Sequence, residues 1–184
     1  MVEKNIDFEL VNKFLNGDES SFNKIINKYK EKIYWHARRM TGNHLDADEI
    51  VQEVLLVIYK NLKNFKFKSS LYTWIYKITS TRSLNYLKRR KIKEFLSLED
   101  QSANLQKSSY DILDDIDLKE KLEMVDKILQ ELPSKQREIF ILRNYENLSY
   151  KEISEITGKS IGALKSNYFH SMKKIMDKVK DENR

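Results

Sequence analysis

The chain has 184 residues, with 34 Lys and Arg against 28 Asp and Glu, so its formal net charge is +6. It has no Cys, which excludes disulfide frameworks, thiol nucleophiles and Cys-based metal sites. Its four Gly and one Pro provide too little turn chemistry for a many-stranded β protein. No run reaches the roughly 18 apolar residues of a membrane span, and the opening residues are too charged for a signal peptide. We expect a soluble, cytoplasmic, all-α protein without membrane insertion.

The charge is distributed unevenly along the chain. Residues 1–91 carry 18 basic and 10 acidic side chains, residues 92–118 carry 2 and 7, and residues 119–184 carry 14 and 11. The middle segment also loses helical periodicity and is rich in Ser, Asn and Asp. We therefore predict two small helical domains, 1–91 and 119–184, joined by a flexible acidic linker at 92–118. The alternative is a long loop within one domain, although such loops are uncommon in compact units.

Residues typical of helix ends divide the N-terminal domain. A first helix is predicted from near Asp7 to Gly17, a second from after Ser20 to about Gly42, and a third from Asp46, which can cap it. Apolar side chains at helical spacing predict a buried stripe on each of the last two. These stripes are Phe22, Ile25, Ile26, Tyr29, Ile33 and His36 or Ala37, then Ala47, Ile50, Val51, Val54, Leu55, Ile58 and Leu62.

The opposite face of the third helix is polar except for Leu56 and Tyr59. An acidic rim around an exposed Leu is typical of a protein-docking face, but scattered exposed apolar residues are also normal. Periodicity does not decide between the two. A metal or acid–base site is disfavoured, because all its acids would come from one helix and acids at a helix start are explained by the helix dipole. We expect no metal, no cofactor and no catalytic residue.

Residues 66–91 carry eight Lys or Arg and no acid, interleaved with five aromatic residues. Cations neutralise phosphates, and aromatic faces stack on unpaired bases. Trp74 shares an apolar stripe with its helical neighbours, so a core position is favoured over a stacking one, whereas Tyr72 and Tyr76 lie off that stripe and are candidates for base contact. A solvated helix face is the alternative, but an acid-free run of this length favours nucleic acid.

The C-terminal domain begins with a predicted helix from Leu118 to Leu132, and Pro133 opens the next, which ends near Asn144. Ser149 and Glu152 can form a capping box for a short helix that reaches residue 157. This first part of the domain therefore predicts two helices and then a short third one.

A Gly turn and a further helix follow, with Ser160 as the cap, which completes a helix-turn-helix pattern. The first turns of the second helix of such motifs reach base edges in the major groove. From Lys159 to Met176 there are four Lys and no acid. This charge favours DNA binding over an ordinary helical hairpin. The groove-facing candidates are Gly162, Ala163, Lys165, Ser166, Phe169, His170 and Lys173.

Four stretches, taken together, resemble the sigma-70 family of bacterial RNA polymerase sigma factors in its extracytoplasmic-function class. NGDESSFNKIINKY resembles the opening segment and DADEIVQEVLLVIYKNL the core-polymerase-binding helix. FKFKSSLYTWIYKITSTRSLNYLKRRK resembles the minus-ten segment, and LPSKQREIFILRNYENLSYKEISEITGKSIGALKS the minus-thirty-five domain. The stretches occur in the family's order and cover most of the chain, with the linker in the expected place.

The resemblance implies a non-enzymatic subunit that binds core RNA polymerase and directs promoter-specific initiation. Docking on the beta-prime clamp helices would use Asp48, Glu49, Gln52, Glu53 and Leu56. Reading and melting of the minus-ten element, with capture of flipped bases by the loop at 65–70, would use Lys66, Lys68, Ser69, Tyr72, Tyr76, Lys77, Thr81, Arg82, Asn85, Lys88, Arg89 and Arg90. The minus-thirty-five contact would add Ser149, Tyr150 and Ser160 to the groove-facing candidates.

The resemblance also implies partners beyond the promoter, which is bound both as duplex and as melted single strand. The segment from Phe140 to Tyr145 would meet the beta flap, the acidic linker would thread toward the active-site channel, and an anti-sigma factor is expected.

The chain departs from the family pattern at several DNA-facing positions. Thr81 stands where the family often has Asn, which puts the base preference there in doubt. Asn167, His170 and Met172 stand where the family usually has Arg. Fewer cations lower the salt-dependent phosphate contribution, so we predict a weaker upstream contact, partly compensated by Lys173 and its neighbour.

Two other functions fit parts of the sequence. A stand-alone helix-turn-helix regulator would use the C-terminal pattern but neither the 66–91 run nor the docking face. A module that binds RNA or single strands would use that run but not the helix-turn-helix. An enzyme is disfavoured, since we find no nucleophile–base pair and no phosphate-binding loop.

Overall fold

The computed structural model describes residues 2–97 and 126–182, and within them there are helices and no strands. The N-terminal unit has four α-helices and a 3-10 turn between the third and fourth: α1 Val2–Leu15, α2 Glu19–Thr41, α3 His44–Asn61, the turn Leu62–Asn64, and α4 Leu71–Ser97. The C-terminal unit has the helical stretch 126–131 (α5), α6 Ser134–Asn144, α7 Tyr150–Thr157 and α8 Ile161–Glu182. The predicted all-α class is confirmed.

Helices α1 to α4 enclose the first core. The predicted stripes of α2 and α3 supply its centre, where Ile25, Ile33, Ile50 and Ile58 are buried. Apolar side chains at a 3.6-residue period bury one continuous face, and this explains why the stripes predicted from sequence meet here. Trp74 packs against this core, as its position on the stripe predicts.

The C-terminal unit has two smaller clusters. One joins Ile139, Leu148 and Ile153 with Leu164, so it ties α6, α7 and α8 together. The other places Leu129 of α5 and Leu132, just after it, against α6 and α8. Tyr76 of α4 belongs to the first of these clusters, so the two units share a packed boundary.

The helix ends of α7 and α2 match the predictions. The side chains of Ser149 and Glu152 hydrogen-bond reciprocally to each other's backbone N–H, which completes a capping box, and Gly158 ends α7 at φ 71°. Gly42 ends α2 at φ 73°. Positive φ of this kind is the conformation that favours glycine at helix C-termini.

Other helix ends differ from the predictions. Asn43, not Asp46, caps α3, because its Oδ1 accepts from the backbone N–H of Asp46, while the Asp46 carboxylate is drawn to α4. Helix α1 begins at Val2 rather than near Asp7.

Helix α4 continues to Ser97, so residues 92–97 of the predicted linker are helical. The remainder of that linker, and the predicted helix start at Leu118, lie outside the described residues. No helix within 2–97 and 126–182 is long and apolar enough to cross a membrane.

Candidate nucleic-acid interface

Helix α4 presents a polar stripe to solvent. Lys77, Thr81, Asn85 and Lys88 are exposed and follow one another at spacings of four, four and three residues. Side chains at these spacings lie on one face of a helix, so four of the predicted minus-ten residues form a continuous exposed row. Arg82 is half-buried beside this row.

Two arginines near the end of the basic run point toward α3 instead. Arg89 pairs with Glu53 at 2.7 Å, and Arg90 pairs with Asp46 at 2.7 Å. Tyr86 donates to the same Asp46 carboxylate at 2.7 Å, and burial together with that hydrogen bond raises the pKa of the Tyr86 phenol. These contacts fix α4 on α3, and they join the predicted minus-ten set to Glu53 of the predicted polymerase-binding set.

The loop between α3 and α4 borders a cavity of about 660 Å³. Its walls include Phe65, Phe67, Lys68 and Ser69 from the loop and Phe8 from α1. The rings of Phe8 and Phe67 lie 4.7 Å apart, and both side chains remain more than one-third exposed. Phe67 has φ 54°, an uncommon backbone conformation for a non-glycine residue that turns the loop sharply.

Phe8 is absent from the sequence-predicted site. The sequence predicts only a first helix in this region, and nothing in that prediction indicates contact with a loop about sixty residues away. Lys66, which was predicted, is exposed on the same loop but does not line the cavity.

Tyr72 and Tyr76 occupy the boundary between the two units. Tyr76 is only 1% exposed, and its hydroxyl donates to the Glu146 carboxylate. Tyr72 is half-buried and donates to the same oxygen at 3.3 Å. Burial and the nearby Glu146 charge raise the pKa of the Tyr76 phenol, and burial raises that of Tyr72. In this arrangement neither phenol edge is open to a base, so their predicted role stays a prediction that requires the units to separate.

Helix α3 carries the predicted polymerase-binding residues on its outer side. Glu49, Gln52 and Leu56 are exposed, and Leu56 retains 59% of its surface. Asp48 is half-buried, 3.4 Å from the imidazole of His44. Tyr59, on the same face, is also exposed, so this face is acidic around two apolar side chains.

Helix α8 presents the exposed face expected of a recognition helix. Phe169 keeps 64% of its surface. The N-terminal turn is capped by Ser160, whose Oγ accepts from the backbone N–H of Ala163. Its exposed predicted residues are Gly162, Ala163, Lys165, Ser166, Phe169, His170 and Lys173, and Ser149 and Ser160 are exposed nearby.

The side chains of Tyr150 and Met172 make contacts within the protein that limit their availability to DNA. The Arg143 guanidinium and the Lys165 ammonium lie 5.1 and 5.9 Å from the ring centroid of Tyr150. Met172 packs against the cluster of Leu129 and Phe140, so it does not belong to the exposed face of α8. Of the positions where the family usually has Arg, the exposed one is His170, and Asn167 is half-buried.

The chain matches known proteins along nearly its whole length. Residues 25–92 match the description Sigma-70 region 2, and residues 122–175 match Sigma-70, region 4. The ECF RNA polymerase sigma-E factor of Haemophilus influenzae is 30% identical over 97% of this chain and 98% of its own.

Solved structures share the fold. CnrH, in complex with the cytosolic domain of CnrY, has a TM-score of 0.71 at 16% identity, over 96% of this chain and 98% of its own. RpoE of Bartonella quintana, in complex with the anti-sigma factor NepR, has a TM-score of 0.69 at 22% identity, over 86% and 96%.

Proposed function

The chain belongs to the sigma-70 family of RNA polymerase sigma factors, in its extracytoplasmic-function class, and we propose how its surfaces divide promoter recognition. As a sigma factor it binds core RNA polymerase and promoter DNA and directs transcription initiation. The match to region 2 followed by region 4, in one chain of the family's length, is the observation that carries this function. A stand-alone helix-turn-helix regulator is not favoured, because it leaves region 2 unexplained.

The exposed row of α4 and the loop before it form the proposed minus-ten face. Lys77 and Lys88 would neutralise phosphates, while Thr81 and Asn85 between them offer hydrogen-bonding groups to bases. The cavity beside Phe67 has room for a flipped base, and the extrusion cost of a few kcal/mol must be offset by contacts inside such a pocket. Binding the melted strand more tightly than the duplex would thereby favour promoter opening.

The outer side of α3 is the proposed dock for the beta-prime clamp helices. Leu56 would be the apolar centre, and the surrounding acids and Gln52 would form a polar rim. The ion pair between Glu53 and Arg89 links this dock to α4. Polymerase binding to α3 would therefore affect the position of the proposed minus-ten face on α4.

The exposed face of α8 is the proposed reader of the minus-thirty-five element. Lys165 and Lys173 are exposed on that face without acidic neighbours between 159 and 176. The segment from Phe140 to Tyr145 is the proposed contact for the beta flap. An anti-sigma factor is a proposed partner, by analogy with the solved RpoE complex. A cytoplasmic, non-catalytic role follows from the family.

Promoter-directed initiation tests the function. Purified chain is added to core RNA polymerase with a random promoter library, and transcripts are sequenced. We expect new start sites that share two upstream elements and that core polymerase alone does not use. Leu56→Ala should reduce these transcripts while Lys30→Ala, at an exposed position of α2, leaves them unchanged. No transcripts above core alone would contradict the function.

A further inference from the structure

Helix α4 continues past the start of α3 as an exposed apolar end. Arg90 pairs with Asp46, at the start of α3, at 2.7 Å. Residues 91–96, which we call the α4 extension, follow Arg90, are all exposed and reach about 9 Å further. Apolar side chains exposed side by side on a helix are typical of an interaction surface. Those of the extension keep more than half of their surface, and they are Ile92, Phe95 and Leu96.

Two of these apolar side chains lie on the same side of the molecule as the proposed dock on α3. Arg89 marks this side of α4, because it pairs with Glu53 of the dock at 2.7 Å. Residues three or seven positions apart lie on one side of a helix, so Ile92 and Leu96 continue the side that Arg89 begins. Phe95 is six positions from Arg89, which places it about 120° around the helix.

The start of α3 supplies a further exposed apolar side chain beside the extension. Leu45 keeps 65% of its surface, and it precedes Asp46, whose carboxylate accepts hydrogen bonds from Tyr86 and Arg90 of α4. Leu56 comes eleven positions after Leu45, close to three full turns, so both project from the same face of α3. The two residues are about 16 Å apart along the helix. The outer face of α3 therefore has exposed apolar side chains near both of its ends.

We propose that the polymerase dock continues from α3 onto the α4 extension, where Leu45, Ile92 and Leu96 form a second apolar anchor for the same clamp helices. The inference rests on the proposed assignment of α3 to core polymerase. A partner helix that lies along α3, which is about 27 Å long, meets the extension as soon as it passes the start of α3. Core polymerase is the occupant, because the pair of Glu53 and Arg89 makes the two surfaces continuous and because the chain is a sigma factor.

The charges around the two anchors have opposite signs. Lys91 and Lys93 are exposed on either side of Ile92, whereas Glu49 is exposed on the face of α3 that carries Leu56. The complementary partner therefore carries acidic groups against the extension and basic groups against α3. Because a shifted partner would bring like charges together, this arrangement fixes the register of the partner along α3.

The affinity of the full chain for core RNA polymerase, measured without DNA, tests the extended dock. A dye on Lys30→Cys, at an exposed position in a chain without native Cys, reports binding by anisotropy. The test variant combines Ile92→Ala with Leu96→Ala. The matched control is Phe95→Ala, which removes an even more exposed apolar side chain from another side of the same extension. Thermal melting should be unchanged in all variants, because the replaced side chains are exposed.

We expect the test variant to bind core polymerase about tenfold more weakly, since truncation of apolar anchors in an interface has effects of this size. Phe95→Ala should bind like the parent. Equal losses in the two variants, or no loss in either, would overturn the extended dock.

A second copy of the chain is the competing occupant of the extension. Sedimentation of the parent chain alone should show a monomer. A dimer that Ile92→Ala with Leu96→Ala dissociates, while the affinity for core polymerase stays at the parental value, would overturn the extended dock.

Failure of the extended dock and failure of the proposed function give different results. If the parent binds core polymerase and directs initiation while the test variant binds equally well, the function stands and the dock ends on α3. If the parent does not bind core polymerase, the proposed function fails and the extended dock fails with it.

Discussion

His36 is a buried imidazole whose ring nitrogens have no hydrogen-bond partner within the described residues. It lies edge-on to Tyr76, with ring centroids 5.5 Å apart. Burial, with a smaller effect of the Arg39 charge, lowers the pKa of His36 from 6.5 to about 3. Between these values the unfolded chain binds a proton that the folded chain does not. Folding stability attributable to His36 is therefore complete above about pH 6.5 and is lost as the pH falls below it.

Replacing His36 by Leu should remove this acid sensitivity. Each pH unit in the window is worth about 1.4 kcal/mol, so the parent should lose about 2 kcal/mol more than His36→Leu between about pH 6.5 and pH 5. Urea unfolding at the two pH values measures the difference. Because the remaining titratable groups are common to both proteins, their effects cancel. His170→Asn, at an exposed position, should keep the parental slope, and equal slopes for parent and His36→Leu would contradict the assignment.

Phe8 should affect DNA without supporting the fold, because nearly half of its side chain is exposed. Stacking of a base on an aromatic ring is worth about 1–3 kcal/mol, so we expect Phe8→Ala to reduce single-strand affinity by about tenfold or more. Ile6 is similarly exposed on α1 and does not line the cavity. Ile6→Ala should bind like the parent. Anisotropy titrations measure affinity, thermal melting checks the fold, and equal losses in the two variants would exclude a role for the Phe8–Phe67 pair.

At the scale of elements, helix α8 has one face exposed to solvent and another packed against the rest of the C-terminal unit. His170 is exposed, whereas Met172 packs on the cluster of Leu129 and Phe140. His170→Arg should therefore raise affinity for random duplex DNA and increase the slope of log affinity against log salt by about 1. Met172→Arg should leave the slope unchanged and destabilise the unit, because it places a charge in an apolar contact. Titrations with duplex DNA at several salt concentrations measure this slope. A steeper slope for Met172→Arg would show that both positions face DNA.

Helix ends could be predicted where their chemistry is local. Ser149, Glu152 and Gly158 act within one short helix, and the structure matches their sequence pattern. Asp46 is predicted to cap α3, but its carboxylate instead accepts hydrogen bonds from two distant residues. These are Arg90, 44 positions away, and Tyr86, 40 positions away. A pattern confined to neighbouring residues cannot reveal such competition.

In the candidate site, too, features set within one helix could be predicted, whereas contacts between distant elements could not. Exposure of the α8 face follows from a 3.6-residue period and was predictable. Burial of Tyr76 was not, because its partner Glu146 lies 70 positions away on another unit. Helical periodicity assigns a residue to a face of its own helix, but which element covers that face depends on tertiary packing.

At the scale of the whole molecule, the packing of the two units should depend on pH. Burial raises the pKa of both Glu138 and Glu146 above 4.5, although Lys and Arg side chains and hydroxyl donors act in the opposite direction. If the units separate, these carboxyls return to water and their pKa values fall. The closed packing therefore binds more protons than the open one. Acidification favours closure, and this contribution is lost as the pH rises through the raised pKa values.

The chain has no native Cys, so Lys30→Cys and Lys174→Cys, both at exposed positions, can carry a donor and an acceptor dye. Energy transfer between these dyes should rise as the pH is lowered from about 8 to about 5. The measurement belongs in the His36→Leu background, because protonation of His36 would favour opening over the same range. Replacing both acids, Glu138→Gln with Glu146→Gln, should flatten the profile, since an amide does not titrate. Glu131→Gln should leave the rise intact. A profile that stays steep without Glu138 and Glu146 would mean that other groups control how closely the units pack.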